Sequence, residues 1–443
     1  MGHMKPFGKI FTAVIVALLL GGCLSVRLPE AQITHLGEPQ SLAWEPLVRE
    51  ALSRNPDLQE ARYLVTASAR SRDIAFGDYL PSVDGGLQRN LSRTTGTAPS
   101  QDGLGLDITA DQSLFDGFGT TGNWLKARKE LAAVKLAYVE TSADVRYRLR
   151  SAYVDMLRLE RLLTTNRLIE ERRKQNAELV RLRYEAGREN LGSALRAEAI
   201  YGQAAFDVRQ AERSLESEAL RLARESGGEF VFPVHIEDDL EKMLQGVFLT
   251  KTDYGVLAEN TPKVMRLIKT AEAAKAAVVA AQSAVWPQVN GSYDYGYSGS
   301  RGSDLKDESF LGLNVTVPFL NGGKNVAAIR KAKADYEASE RAATGARDEA
   351  IASLAEAWVL FSDAIESVEV RRKFLEAARK RAEIIRMEYA TGLVNFTDFD
   401  AAEQENANAE KEYVLSLANV FIQQANWDKA QGATLEDIYH ENK

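Results

Sequence analysis

One cysteine, Cys23, stands in 443 residues, so no disulfide can form within the chain. The four histidines, His3, His35, His235 and His440, are scattered, and no Cys/His spacing suits a zinc site. No metal and no cofactor is expected. Lys and Arg number 55 against 63 Asp and Glu, a formal −8 with no basic cluster, which argues against a nucleic-acid partner. No nucleophile motif and no carboxylate pair stands in a recognisable catalytic context, so no catalytic residue and no enzyme is expected. Composition is average, 45% hydrophobic and 27% charged, which excludes bulk disorder and a multi-span helical membrane protein. Proline is absent where it matters most. All eleven lie at or before Pro318 and none lies between Pro99 and Pro233, so two stretches of more than 120 residues lack the main helix breaker.

The N-terminus reads as an address. Met1 to His3 look like a tag remnant, and Met4 like the natural start. Lys5 and Lys9 precede an apolar run from Ile10 to Leu20, shorter than the roughly 20 residues that span a bilayer. Leu20-Gly21-Gly22-Cys23 resembles a bacterial lipobox. That resemblance implies cleavage before Cys23 and acylation of its thiol and freed amine, an anchor worth about 0.8 kcal/mol per buried CH₂. The alternative is an ordinary signal peptide with a chance cysteine. Leu24 rather than Asp follows the cysteine, which by the same resemblance implies sorting to the outer membrane. Cleavage removes Lys5 and Lys9 and no acid, so 53 bases then face 63 acids, −10 per chain.

The rest of the chain is written twice, with a period of 205 or 206 residues. Asn55-Pro56 aligns with Thr261-Pro262, Tyr79-Leu80-Pro81 with Val285-Trp286-Pro287, and Phe115-Asp116-Gly117 with Leu320-Asn321-Gly322. Ala152-Tyr153 aligns with Ala357-Trp358, and Tyr184 to Gly187 with Tyr389 to Gly392. Each unit predicts one helix of about 30 residues, near Glu45–Phe76 and Ala258–Ala284. Two strands follow, then a very long helix over about Gly122–Ala186 and Lys324–Thr391, and a return helix over about Ser193–Glu225 and Thr397–Ala430. At 1.5 Å per residue the long helix runs roughly 100 Å, too long for a globular core. It needs partners along its full length, and the first and return helices stacked end to end supply them. Apolar residues recur at helical spacing, as in Leu149, Tyr153, Met156, Leu159 and Leu163. Charges such as Arg172, Arg173 and Lys174 fill the other faces and read as solvated.

In chain order, residues 1–22 form the signal peptide and 23–44 the lipidated segment. The first repeat takes 45–230, with a β-hairpin over 82–115 and a helical hairpin over 122–226. An inter-repeat segment, 231–255, leads to the second repeat, 256–432, with a β-hairpin over 288–320 and a helical hairpin over 324–430. A tail, 433–443, ends the chain. Gly117-Phe118-Gly119-Thr120-Thr121-Gly122 spells G-x-G-x-x-G before a helix, with Glu140 about 20 residues on. A dinucleotide site needs a second parallel strand behind a helix of ordinary length. Here no strand follows, and the duplicate Asn321-Gly322-Gly323-Lys324 lacks the pattern, so these glycines ease a strand-to-helix bend.

The strands decide the class. Leu104, Leu106, Ile108 and Ala110 alternate with Gly105, Asp107, Thr109 and Asp111. Leu311, Leu313, Val315, Val317 and Phe319 alternate with Gly312, Asn314, Thr316 and Pro318, and Val289, Gly291, Tyr293, Tyr295 and Tyr297 with polar residues. The segment Val83–Leu91 is weaker and carries Arg89 on its apolar side. Strands of about ten residues with one apolar face suit an outer-membrane barrel wall, and Tyr79, Phe115, Trp286 and Phe319 at the helix–strand junctions suit a membrane girdle. A small soluble sandwich is the alternative. Four strands cannot close a barrel, and open edges cannot face lipid. Two copies give eight strands and three give twelve; a lumen for solutes favours three or more. The polar loops Thr94–Asp102 and Ser298–Asp307 then face outward, and the helices face the periplasm.

Lipobox, duplicated unit, hairpin strands and long helices together resemble the TolC-like outer-membrane factors of tripartite efflux pumps, over nearly all of the mature chain. The resemblance implies a mainly α fold with membrane β: a homotrimer with a twelve-stranded β-barrel and a coiled-coil α-barrel. It implies a periplasmic adaptor as partner at the hairpin tips, here Gly187, Arg188, Leu191, Gly392, Leu393 and Val394, and through it an inner-membrane pump. It implies that Val231–Asp253 and the tail form an equatorial belt, and that Asp398, with Asp400 beside it, matches an acidic ring closing the periplasmic end. Like charges around one axis repel and raise one another's pKa. Asp398 capping its own helix is the other reading. The expected function is a passive duct for small molecules such as drugs. Type I protein secretion or metal-ion export would use the same duct, and a pore-less, lipid-anchored coiled-coil scaffold is the alternative of another class.

Overall fold

The structure, a computed structural model, describes residues 40–92, 101–230, 232–247, 253–300 and 306–441. Cys23, the signal peptide and most of the lipidated segment lie outside the described residues, as do parts of both polar loops. The described chain is mainly helical with a few antiparallel strands. A short β1 (Gln40–Leu42) leads into α1 (Trp44–Arg54) and α2 (Pro56–Gly77). Strands β2 (Ser82–Ser92) and β3 (Gln101–Phe115) precede α3 (Gly119–Glu185), 67 residues long, and its return helix α4 (Leu191–Ser226). Between the repeats lie β4 (Val234–Ile236), α5 (Leu240–Leu244) and α6 (Tyr254–Glu259). The second repeat holds α7 (Pro262–Gln282), β5 (Gln288–Ser300), β6 (Lys306–Thr316), α8 (Lys324–Thr391), 68 residues long, and α9 (Phe396–Gln431). A last helix, α10, covers Leu435–Glu441.

The first helix of each repeat is not continuous, as the sequence reading had it. A residue before proline is driven out of the α region. Asn55 takes an extended ψ before Pro56, and its Oδ1 accepts from the Asp57 and Leu58 N–H groups, so α1 ends and α2 starts afresh. Thr261 before Pro262 divides α6 from α7 in the same way. The break also joins helices end to end. The Asn55 Nδ2 donates to the Glu225 carbonyl at 2.8 Å, so the end of α4 abuts the start of α2, and both lie along α3.

Near the sheet the helices lie side by side in the order α2, α3, α7, α8. Toward the tips the order is α4, α3, α9, α8. The main core lies where the two layers meet, around Leu149, Tyr153, Met156, Leu47, Leu222, Leu354, Phe361, Leu417 and Phe421. Outside that core, β1 pairs in parallel with β4, and the Ile236 N–H donates to Glu160 on α3 at 3.1 Å. The tail is tied down too: Glu436 accepts from the Tyr138 and Ser142 hydroxyls of α3. Among the described residues no helix is long and apolar enough to cross a membrane.

Candidate functional site

Two ends of the molecule carry the candidate residues. At one end is a four-stranded antiparallel sheet in the order β2-β3-β5-β6, so β2 and β6 are edges. Its registers set Val83, Ala110, Tyr293 and Leu311 in one row, and Leu87, Leu106 and Tyr297 in another that ends at Asp307 beside the polar loop, on a single face. Asp84, Thr109 and Asp294 share a row with Phe310 on the opposite face, as do Asp107 and Glu308. The apolar face is bare in the isolated chain; Leu311 is 81% and Leu313 68% exposed. Tyr79, Phe115, Trp286 and Phe319 all sit where helix meets sheet. The Tyr79 hydroxyl bonds to Thr121 at 2.9 Å, Phe115 meets Phe118 edge-on at 5.8 Å, and Phe319 is 91% exposed.

The other end is a pair of helical hairpin tips. Gly187 (φ 67°) and Gly392 (φ 86°) take the left-handed conformation that stops α3 and α8. Asn190 and Asn395 then start the return helices, their side chains accepting from the Ser193 and Asp398 N–H groups. So Asn395 is the cap of α9, and Asp398 lies in its first turn with an exposed carboxylate, where the helix dipole favours an acid. Arg188, Leu191 and Leu393 are exposed at the tips, and Val394 packs beneath them.

The two tips are fastened together. Tyr389 is fully buried and stacks on Phe399 at 4.5 Å. The Arg183 guanidinium lies 4.6 Å from the Tyr389 ring and donates to the Tyr389 carbonyl at 2.6 Å. The Tyr389 hydroxyl donates to Glu189 at 2.9 Å. Burial pushes the Tyr389 phenol up. Burial also works to raise the Glu189 carboxyl, but the bonds from the Asn190 N–H and Tyr389 outweigh it, and the net shift is downward.

Above the tips, α3 and α9 are joined by ion pairs. Arg173 is 5% exposed and meets Asp400, 7% exposed, at 3.3 Å. The other Asp400 oxygen accepts from Arg196 of α4 at 3.0 Å. Arg172 grips Glu410 with two bonds, 3.0 and 2.5 Å, and Arg386 of α8 holds the buried Glu403. The expectation that Arg172 and Arg173 are solvated is therefore corrected, while Lys174 is exposed. Burial pushes the Arg173 guanidinium below its usual value, and Asp400 pulls it back up. Asp400 was expected at this end, but its partners Arg173 and Arg196, and the Arg183 and Glu189 contacts to Tyr389, were not legible as site residues. Helical spacing showed an apolar stripe; it did not show which arginine meets an acid more than 200 positions away.

Such a site is electrostatic and mechanical. Among the described residues no group of His, Cys, Asp and Glu could hold a metal ion. A family profile described as Outer membrane efflux protein matches residues 47–228 and 254–433. The outer membrane efflux protein BepC of Brucella suis biovar 1 (strain 1330) is 21% identical over 336 residues, covering 74% of this chain and 72% of that protein. Nodulation protein T of Rhizobium leguminosarum bv. trifolii is 22% identical over 437 residues, covering 89% and 91%. The crystal structure of CusC, described for its folding and transmembrane channel formation, superposes with a TM-score of 0.81 at 17% identity, covering 87% of this chain and 91% of that one.

Proposed function

The chain belongs to the outer membrane efflux protein family, and from that premise we propose that three copies form a passive export duct for small molecules such as drugs. The sheets join into a twelve-stranded barrel in the outer membrane, and the helices continue the duct through the periplasm. The observation that carries this is the sheet with two open edges and one bare apolar face. Unpaired strand edges cost several kcal/mol per polar group in lipid, so β2 and β6 must find partners there. Eight strands enclose an interior that side chains fill, so a solute path needs three copies.

In this reading Cys23 carries the lipid anchor, and Tyr79, Phe115, Trp286 and Phe319 form the girdle at the inner membrane–water interface. The tips, with Gly187, Arg188, Leu191, Gly392, Leu393 and Val394, meet a periplasmic adaptor that links the duct to an inner-membrane pump. The duct has no energy source of its own, and cargo is chosen by the pump. Asp398, exposed at the tip, is the gate carboxylate; Asp400 is spent on two arginines and holds the tip's shape. The test is the detergent-corrected mass of the extracted protein by light scattering, followed by conductance in a planar bilayer. Three chain masses and discrete channels are expected. A stable folded monomer without conductance would leave a lipid-anchored scaffold instead.

A further inference from the structure

The duplication leaves one face of each repeat unsatisfied, and the repeat operation says what satisfies it. The ladder of the first repeat opens at Ser82↔Asp111 and that of the second at Gln288↔Thr316. First strands are thus related by 206 residues (82 to 288) and second strands by 205 (111 to 316). Within one chain the second strand of repeat one, β3, pairs with the first strand of repeat two, β5. If every repeat meets the next in the same way, β6 meets β2 of a second copy with the register of β3 on β5. We propose that this transferred register is the seam between copies, with Leu313 opposite Arg89, Asn314 opposite Gln88, Val315 opposite Leu87 and Thr316 opposite Gly86. This deepens the proposed barrel and rests on it.

Each pair follows from an observed one. Ile108↔Tyr295 becomes Leu313 with Arg89, Thr109↔Asp294 becomes Asn314 with Gln88, and Ala110↔Tyr293 becomes Val315 with Leu87. The result passes a check not used to build it. Facing residues on neighbouring strands share a face, and a slip of one residue moves every side chain to the wrong side. In the transferred register Val315 meets Leu87 on the apolar face and Asn314 meets Gln88 on the polar one. A slip of one would set Asn314 against Leu87. The ladder also ends where it should. On β3 the register shifts between Ser113 and Phe115. The equivalent of Ser113 is Pro318, and proline, lacking an N–H, is tolerated where a ladder breaks.

The same operation compares the helical seams. Gly187 and Gly392 are 205 apart, as are Gly227 and Gly432. The α3–α9 contact inside a copy then predicts an α8–α4 contact between copies. Where the first has Arg172–Glu410, the second has Ala377, exposed in the single chain, with Ala205. At this level the seam between copies would carry an alanine pair where the seam inside a copy carries an ion pair.

Facing Cα atoms on antiparallel strands lie about 4.5–5.5 Å apart, inside the roughly 4.4–6.8 Å that a disulfide spans. The test places Gln88→Cys and Asn314→Cys in one full-length chain, in isolated outer membranes, with copper-phenanthroline and dissolved oxygen as oxidant. Covalent multimers on a non-reducing gel, absent from either single variant, are expected to form several-fold faster than from Gln88→Cys with Gly312→Cys or with Thr316→Cys. Leu87→Cys with Val315→Cys repeats the test on the other face. Faster linkage of an off-register pair overturns the register. No linkage in any pair, from a protein that light scattering shows to be trimeric, overturns the β6–β2 seam. A monomeric mass overturns the barrel itself.

Discussion

Asp398 and Asp400 stand two residues apart on α9, and a helix turns by about 200° over that interval. Asp398 therefore faces out while Asp400 faces Arg173 and Arg196. Their substitutions separate on this ground. Asp398→Ala is expected to raise single-channel conductance and antibiotic leak while leaving stability near wild type, since Asn395 caps the helix. Unchanged conductance in purified channels would count against a gate. Asp400→Ala leaves Arg173 buried without its carboxylate, at a cost of about 3 kcal/mol in local stability. Faster amide exchange around residues 170–176 and 398–404 should report it. Replacing both, Arg173→Met with Asp400→Leu, should restore protection, because a buried pair is often exchangeable for apolar packing. Glu189 adds a pH dependence. Its folded pKa lies below its unfolded value of 4.5, so its contribution is whole above that pH and is lost as pH falls through the folded value. The protection of tip amides, taken relative to their intrinsic exchange rate at each pH, should fall on acidification in the wild type, and Glu189→Gln should remove that part of the response.

At the scale of the elements, close helix packing near the sheet is set by small residues. A Cβ placed on Gly122 of α3 would lie 2.5 Å from the backbone nitrogen of Ala280 on α7. Gly122→Ala must then push the two helices apart, and despite alanine's better helix propensity a loss of about 1–3 kcal/mol is expected. A lowered melting temperature by circular dichroism checks it; an unchanged or raised one would mean the contact yields freely. The elements themselves were largely legible. Two proline-free stretches announced the long helices, and clean alternation announced β3 and β6, though β6 ends at Thr316, before Val317 and Phe319; β5 alternates less cleanly. The break at Asn55 was present in the sequence as Asn-Pro, the pair that also marks the repeat at Thr261-Pro262. The buried arginines were not legible, because Arg173 differs from Lys174 only in what α9 brings to it. The tip fastening was hidden for the same reason: Arg183, Glu189 and Tyr389 meet across some 200 residues of chain.

At the scale of the whole molecule, the sheet's two faces assign the duct a charge. If the bare apolar face meets lipid, the opposite face lines the lumen. That face carries Asp84, Asp107, Asp111, Asp294 and Glu308 against Lys306, all placed by the strand registers. Three copies repeat this excess of four acids around one axis. A narrow passage lined by one sign of charge and walled by low dielectric concentrates the opposite ion. The barrel should therefore prefer cations, and reversal potential across a bilayer under a potassium chloride gradient reads the preference directly. It should weaken in the double variant Asp107→Asn with Asp294→Asn, and at high ionic strength as the Debye length falls toward about 3 Å. The sequence-wide excess of acid does not make this argument, since it counts the acids of the helices together with those of the sheet. The registers make it, because they decide which acids share a wall. Anion selectivity in wild-type channels would place those carboxylates outside the lumen, and with them the assignment of the apolar face to lipid would fall.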